Sequence, residues 1–127
     1  MAHYDVLSDA SFTLMQGEQH RVLFNPENDA YLEDTARRAT ILTYMVDPSN
    51  DASGIEIEVF ARMGGRDKRI SVLRVSGTQL RTVLEPFNPS GLQTGDNRIT
   101  FKVSSGSGSV RISNVIMWYQ RRLAAVR

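Results

Sequence analysis

Apolar and polar residues alternate with a period of two along most of this chain. Ile99, Phe101 and Val103 share one parity, and Arg98, Thr100 and Lys102 share the other. A half-buried antiparallel strand needs that period, whereas a helix would scatter the same residues around its circumference. Residues 55–62 repeat it, with Ile55, Ile57 and Val59 inward and Glu56, Glu58 and Phe60 outward. Residues 39–46 read as a strand apolar on both faces, Ile41, Thr43 and Met45 opposing Leu42, Tyr44 and Val46, as a central strand covered on both sides would be. Shorter candidates lie at 11–15, 20–24, 69–76 and 78–85. Turn signals separate them: Gln16-Gly17-Glu18, the Asn/Pro/Asp-rich 25–29, residues 47–54, Gly64-Gly65-Arg66-Asp67, and Pro86 with Pro89.

The last third of the chain is expected to form a hairpin. A strand over 97–103 is followed by a Ser/Gly turn at 104–109 and a long closing strand at 110–120. Parity breaks inside that closing strand: Val110 and Ile112 share one face, but Val115, Met117 and Tyr119 continue on the other count. A β-bulge near Ser113-Asn114 would restore the phase. About eight strands at short spacing, with no long helix and no repeat, predict an all-β antiparallel β-sandwich of jelly-roll type. Residues 1–10 are expected as a flexible arm, 11–122 as one domain and 123–127 as a tail.

The stretch Leu92-Gln-Thr-Gly95-Asp-Asn97-Arg-Ile99-Thr-Phe101 resembles a recurring pattern of galactose-binding-like jelly-roll domains, a class rich in carbohydrate-binding modules. The pattern is a leucine, a Gly-x-Asn turn and an alternating strand, followed by a glycine-containing turn and a last strand like Val110-Arg-Ile112-Ser-Asn114-Val115. Gly95 can take positive φ and Asn97 can bond local backbone, so these are fold-forming residues. The resemblance covers about residues 39–120. It implies a jelly roll, glycan recognition and, in many such modules, a structural calcium ion.

Composition narrows the function classes. Hydrophobic content of 41% and charged content of 23% suit a soluble globular domain, and a net charge of +1 predicts no general attraction to nucleic acid or anionic membrane. No apolar run approaches the ~20 residues that span a bilayer, and no secretory signal opens the chain. It is expected to be cytoplasmic, or exported by a route the sequence does not show. Without cysteine there is no disulfide, thiolate nucleophile or thiolate metal site. Lys68 and Lys102 are the only lysines, so cationic contacts fall to arginine, which pairs carboxylates bidentately.

An enzyme is not expected. Glu56 and Glu58 share a strand face ~6.5 Å apart, within the range of glycosidase pairs, but hydrolases place such acids across a cleft on separate elements. His3 and His20 are the only histidines, no Gly-x-Ser-x-Gly elbow occurs, and a triad would rest on His20 alone. Asp47, Asn50 and Asp51 in one loop, and Asp29, Glu33 and Asp34 in another, supply oxygens of the kind calcium takes, although Asp and Asn are also ordinary turn residues. For a glycan, an aromatic platform with polar companions is required. Tyr31, Tyr44, Phe60, Trp118 and Tyr119 are the candidate aromatics, and Arg62, Arg66 and Asn88 the companions. Phe60, outward on its strand, is the most suggestive; the alternative is that the N-terminal segment covers it. Ile116 and Trp118, rimmed by Arg121 and Arg122, would form an apolar interface patch unless covered within the chain. The expected function is non-catalytic carbohydrate recognition, lectin-like; the alternative is a coat, tail or particle component whose jelly roll packs against other subunits or forms homo-oligomers.

Overall fold

The computed structural model describes residues 2–24, 40–63, 66–75, 77–87 and 97–120. Within them the chain forms nine strands: β1 (Ala2–Ser8), β2 (Phe12–Met15), β3 (Gln19–Phe24), β4 (Thr40–Pro48), β5 (Ser53–Met63), β6 (Arg66–Val75), β7 (Arg81–Phe87), β8 (Asn97–Ser107) and β9 (Ser109–Gln120). All pairings are antiparallel. The strands make a jelly-roll sandwich of two sheets. Sheet A runs β1-β9-β4-β7, with β2 also pairing β9, and sheet B runs β3-β8-β5-β6.

Each alternation now has a direction. Leu42, Tyr44 and Val46 of β4 face Ile55, Ile57 and Val59 of β5 and Ile99, Phe101 and Val103 of β8 across a shared core. Tyr44 and Phe101 meet edge to face, ring centroids 5.0 Å apart and planes at 73°. Such an arrangement contributes about 0.5–1.5 kcal/mol beyond the area it buries. Phe101 also contacts the Phe12 ring at 5.6 Å, which in turn stacks on His20 at 4.0 Å.

Three expectations are corrected. The flexible arm at 1–10 is instead edge strand β1, paired with β9 from Ala2↔Gln120 to Ser8↔Val115. Second, β8 and β9 do not form a hairpin. They belong to opposite sheets, and the strands on either side of Gly108 carry the chain across the sandwich. The inward rows of both strands are apolar, and burying them against each other from two layers satisfies both rows at once. Third, Tyr44 is a core residue, 1% exposed, and offers no sugar platform. Strand β7 runs past Pro86, which an edge strand permits because a proline need not donate to a neighbour.

The bulge expected near Ser113-Asn114 is present. Thr43 pairs Ile116 and Met45 pairs Ser113, so two residues of β9, Asn114 and Val115, stand against Tyr44 alone. Asn114 takes φ 52°, a conformation asparagine tolerates better than most residues. The extra residue keeps Val110, Ile112, Val115 and Met117 all inward.

Gly106 and Gly108 make the crossing possible. A Cβ on Gly106 would lie 2.5 Å from the Ile55 Cα, and one on Gly108 2.7 Å from the Ala52 Cα; both residues also have positive φ. Gly17 has positive φ too, but open space around it. Gly106→Ala is therefore expected to lower stability by about 2–5 kcal/mol, from backbone strain plus overpacking, and Gly17→Ala by only about 1–2 kcal/mol. Urea denaturation of the two variants checks this, and equal losses would contradict it.

The Tyr44 hydroxyl is buried and makes no well-formed hydrogen bond among the described residues, the Ser71 hydroxyl lying close enough only for a weak one. Burial first, then the Glu85 carboxylate, pushes its pKa far above the ordinary 10.0, against weaker opposition from the Ser71 hydroxyl and Arg81. A raised native pKa means the unfolded chain ionises first. This contribution to stability is thus whole below pH 10 and falls by about 1.4 kcal/mol per pH unit above it. Tyr44→Phe should flatten the alkaline limb of stability against pH relative to wild type, read by thermal unfolding between pH 8 and about 11.

Candidate functional site

The outer face of sheet B is laid out by strand register. Gln19 stands beside Lys102 and Lys102 beside Glu58; Arg21 stands beside Thr100, Thr100 beside Phe60 and Phe60 beside Arg69. Leu23 lies next to Arg98, and Arg62 next to Asp67, in the row beyond. A shallow depression of about 180 Å³ opens on this face, lined by Gln19, Arg21, Phe60, Asp67, Thr100 and Lys102. One aromatic ring amid amide, hydroxyl and charged groups is the mixture that holds a polar ligand with apolar faces.

Thr100 is the unusual member. It is an outward residue, yet only 5% exposed, because a short side chain sits between Arg21 and Phe60 on the neighbouring strands. Its Oγ1 has no hydrogen-bond partner among the described residues. An unsatisfied buried hydroxyl costs about 1–3 kcal/mol and is uncommon unless something outside the chain completes it.

Ion pairs frame the depression. Arg98 Nε reaches over β5 to Asp67 Oδ1 at 3.4 Å, Arg69 holds Glu58 at 3.2 Å, and Arg74 holds Glu56 at 3.3 Å. The Glu56–Glu58 pair is therefore a solvated, arginine-bound sheet face. With His20 stacked on Phe12, no acid–base or nucleophilic constellation forms among the described residues.

The expected site residues are distributed unevenly. Phe60 lines the depression and Arg62 lies one row along from it. Arg66 starts β6 opposite Met63 and does not line it. Tyr31, Asn88, Arg121 and Arg122 lie outside the described residues, as do Asp29, Glu33 and Asp34. Gln19, Arg21, Asp67, Thr100 and Lys102 also line the depression, and no local pattern in the sequence singles them out. The alternation did mark Thr100 and Lys102 as outward, but their meeting with Phe60 depends on β8 lying between β3 and β5.

Near the end of β4, Asp47 is paired with Arg111 at 3.0 Å, and in the loop that follows Asp51 accepts a 2.6 Å hydrogen bond from the Ser49 hydroxyl. Asn50 is exposed. No group of three or more His, Cys, Asp or Glu that could hold a metal ion occurs among the described residues.

The outer face of sheet A is more apolar. Trp118 stands between β1 and β4, opposite Ile41, and Ile116 lies opposite Val6 and Thr43. Trp118 is 40% exposed and donates its indole N–H to Thr43 Oγ1 at 3.0 Å. Strand β1 flanks this face rather than covering it. Among the described residues no helix is long and apolar enough to cross a membrane.

Comparison with solved structures places this architecture. The chain superposes on the xylan-binding module CBM15 with a TM-score of 0.60 at 10% identity, covering 98% of this chain and 99% of that one. It shares the fold of the jelly-roll carbohydrate-binding modules. The family 22 carbohydrate-binding module of Clostridium thermocellum Xyn10B gives a TM-score of 0.59 at 10% identity, over 99% of this chain and 84% of that one. Part of a larger enzyme matches as well: the β-porphyranase BpGH86A of Bacteroides plebeius, TM-score 0.59 and 15% identity, over 94% of this chain but 20% of the porphyranase. No protein-family model matches the sequence, and no curated protein resembles it at the level of sequence. At these identities the likeness is one of fold.

Thr100→Val keeps shape and removes the orphaned hydroxyl. Unliganded protein carrying it should be as stable as wild type or more stable, by up to about 1–2 kcal/mol, in urea denaturation. A clear loss would show that the hydroxyl is satisfied in solution.

Proposed function

We propose that the chain is a non-catalytic glycan-binding domain whose sugar site is the outer face of sheet B. The observation that carries this reading is the depression in which the Phe60 ring and the partnerless Thr100 hydroxyl lie side by side on neighbouring strands. A pyranose ring offers one apolar face to an aromatic ring and hydroxyls at its rim. Phe60 takes the former and Gln19 the latter, with the covered Thr100 hydroxyl reached only as Arg21 moves aside. The fold shared with xylan-binding modules supports the reading. The face is a sheet, so its side chains stand at fixed spacing on a rigid layer and lose little freedom when a ligand arrives.

Isothermal titration against a panel of soluble plant and algal oligosaccharides tests the proposal. Phe60→Ala should weaken the best ligand by at least about tenfold, the loss expected when an anchoring ring is removed from a small site. Trp118→Ala on the opposite sheet should leave its affinity unchanged. The reverse outcome would move the platform to sheet A, and silence across the whole panel would remove the glycan reading.

A further inference from the structure

Resting on that reading, we infer that the glycan bound by sheet B is anionic, carrying a carboxylate or sulfate group received by Arg21 and Lys102. The charges on the face are unequal among the described residues. It presents Arg21, Arg62, Arg69, Arg74, Arg98 and Lys102 against Glu56, Glu58 and Asp67. Each of these carboxylates is already engaged: Glu56 by Arg74, Glu58 by Arg69 and Asp67 by Arg98. Lys102 stands directly opposite Glu58 in the ladder, yet that carboxylate turns to Arg69 on the other flank. Arg21 and Lys102 form no ion pair with any described residue, and both line the depression.

Their placement suits one shared anion. Arg21 pairs with Thr100 and Lys102 with Gln19, so the two cations are diagonal neighbours across β3 and β8. Such neighbours are roughly 7–8 Å apart at the backbone, within reach of two long side chains converging on one group. Arg21 supplies a planar fork that matches a carboxylate or sulfate edge, and Lys102 supplies a compact point charge. Asp67, the only acid in the lining, is neutralised by Arg98. An entering anion therefore meets free cations and displaces no internal partner. A sugar ring over Phe60 and Thr100 would carry its charged substituent toward β3.

The test compares a neutral xylo-oligosaccharide, an oligogalacturonate and a sulfated galacto-oligosaccharide by titration calorimetry at low and high ionic strength. At least one anionic sugar should bind about tenfold or more tighter than the neutral one, with the advantage shrinking as salt rises. The two anionic arms identify which charged group is taken. Arg21→Gln and Lys102→Gln should each remove most of that advantage and keep the thermal midpoint. Arg74→Gln, an equal change of net charge away from the depression, should leave the preference intact. Neutral binding as tight as anionic, or a loss at Arg74 equal to those at Arg21 and Lys102, overturns the inference while the glycan reading stands. Failure of all three sugars to bind overturns both.

Discussion

Tyr44 and Phe101 touch edge to face in the middle of the sandwich, one ring from each sheet. Around that contact every inward residue of β4, β5, β8 and β9 finds its place, and the outward residues are fixed as a consequence. Because the side-chain period of a strand is two, moving either ring by one position would turn its whole strand inside out. Phe60 and Thr100 point to the outer side of sheet B for this reason, since Val59 and Phe101 beside them are committed to the core. The geometry of the candidate site is thus inherited from the packing beneath it.

The same constraint explains the local irregularities. Strand β9 must present apolar residues to the core along its length, while its sequence changes phase at Ser113-Asn114. The bulge at Asn114 absorbs the mismatch. The crossing between sheets after β8 brings backbone so close to Ile55 and Ala52 that only glycine fits at 106 and 108. In both places the backbone bends so that the core row stays continuous.

How much of this was legible in the sequence depended on the range of the interaction. Strand β5 was readable outright, because Ile55, Ile57 and Val59 against Glu56, Glu58 and Phe60 is a local pattern. The bulge was readable from the parity break in β9. Sheet membership was not: β8 and β9 are joined by so short a turn that a hairpin was the natural expectation, yet they pair with β3 and β5 and with β1, β2 and β4 respectively. The candidate site suffered from the same limit. Phe60 could be picked out because it breaks a charged face, whereas Arg21, Thr100 and Lys102 gain meaning only once β8 is known to lie between β3 and β5. Tyr44 reads as a candidate platform because its strand is apolar on both faces, and periodicity alone does not choose the inner row.

Strand β9 has a consequence for the order of events during synthesis. Among the described residues it is the sole ladder partner of β1 and β2 and one of two partners of β4. Sheet B, by contrast, is complete once β8 has left the ribosome. The earliest strands of sheet A must therefore wait, unpaired, for nearly the last residues described. Long-range closure of this kind is slow, and a waiting edge is open to mispairing. His3, Asp5 and Ser8 interrupt the apolar residues of β1 and help keep that waiting segment in solution until its template arrives.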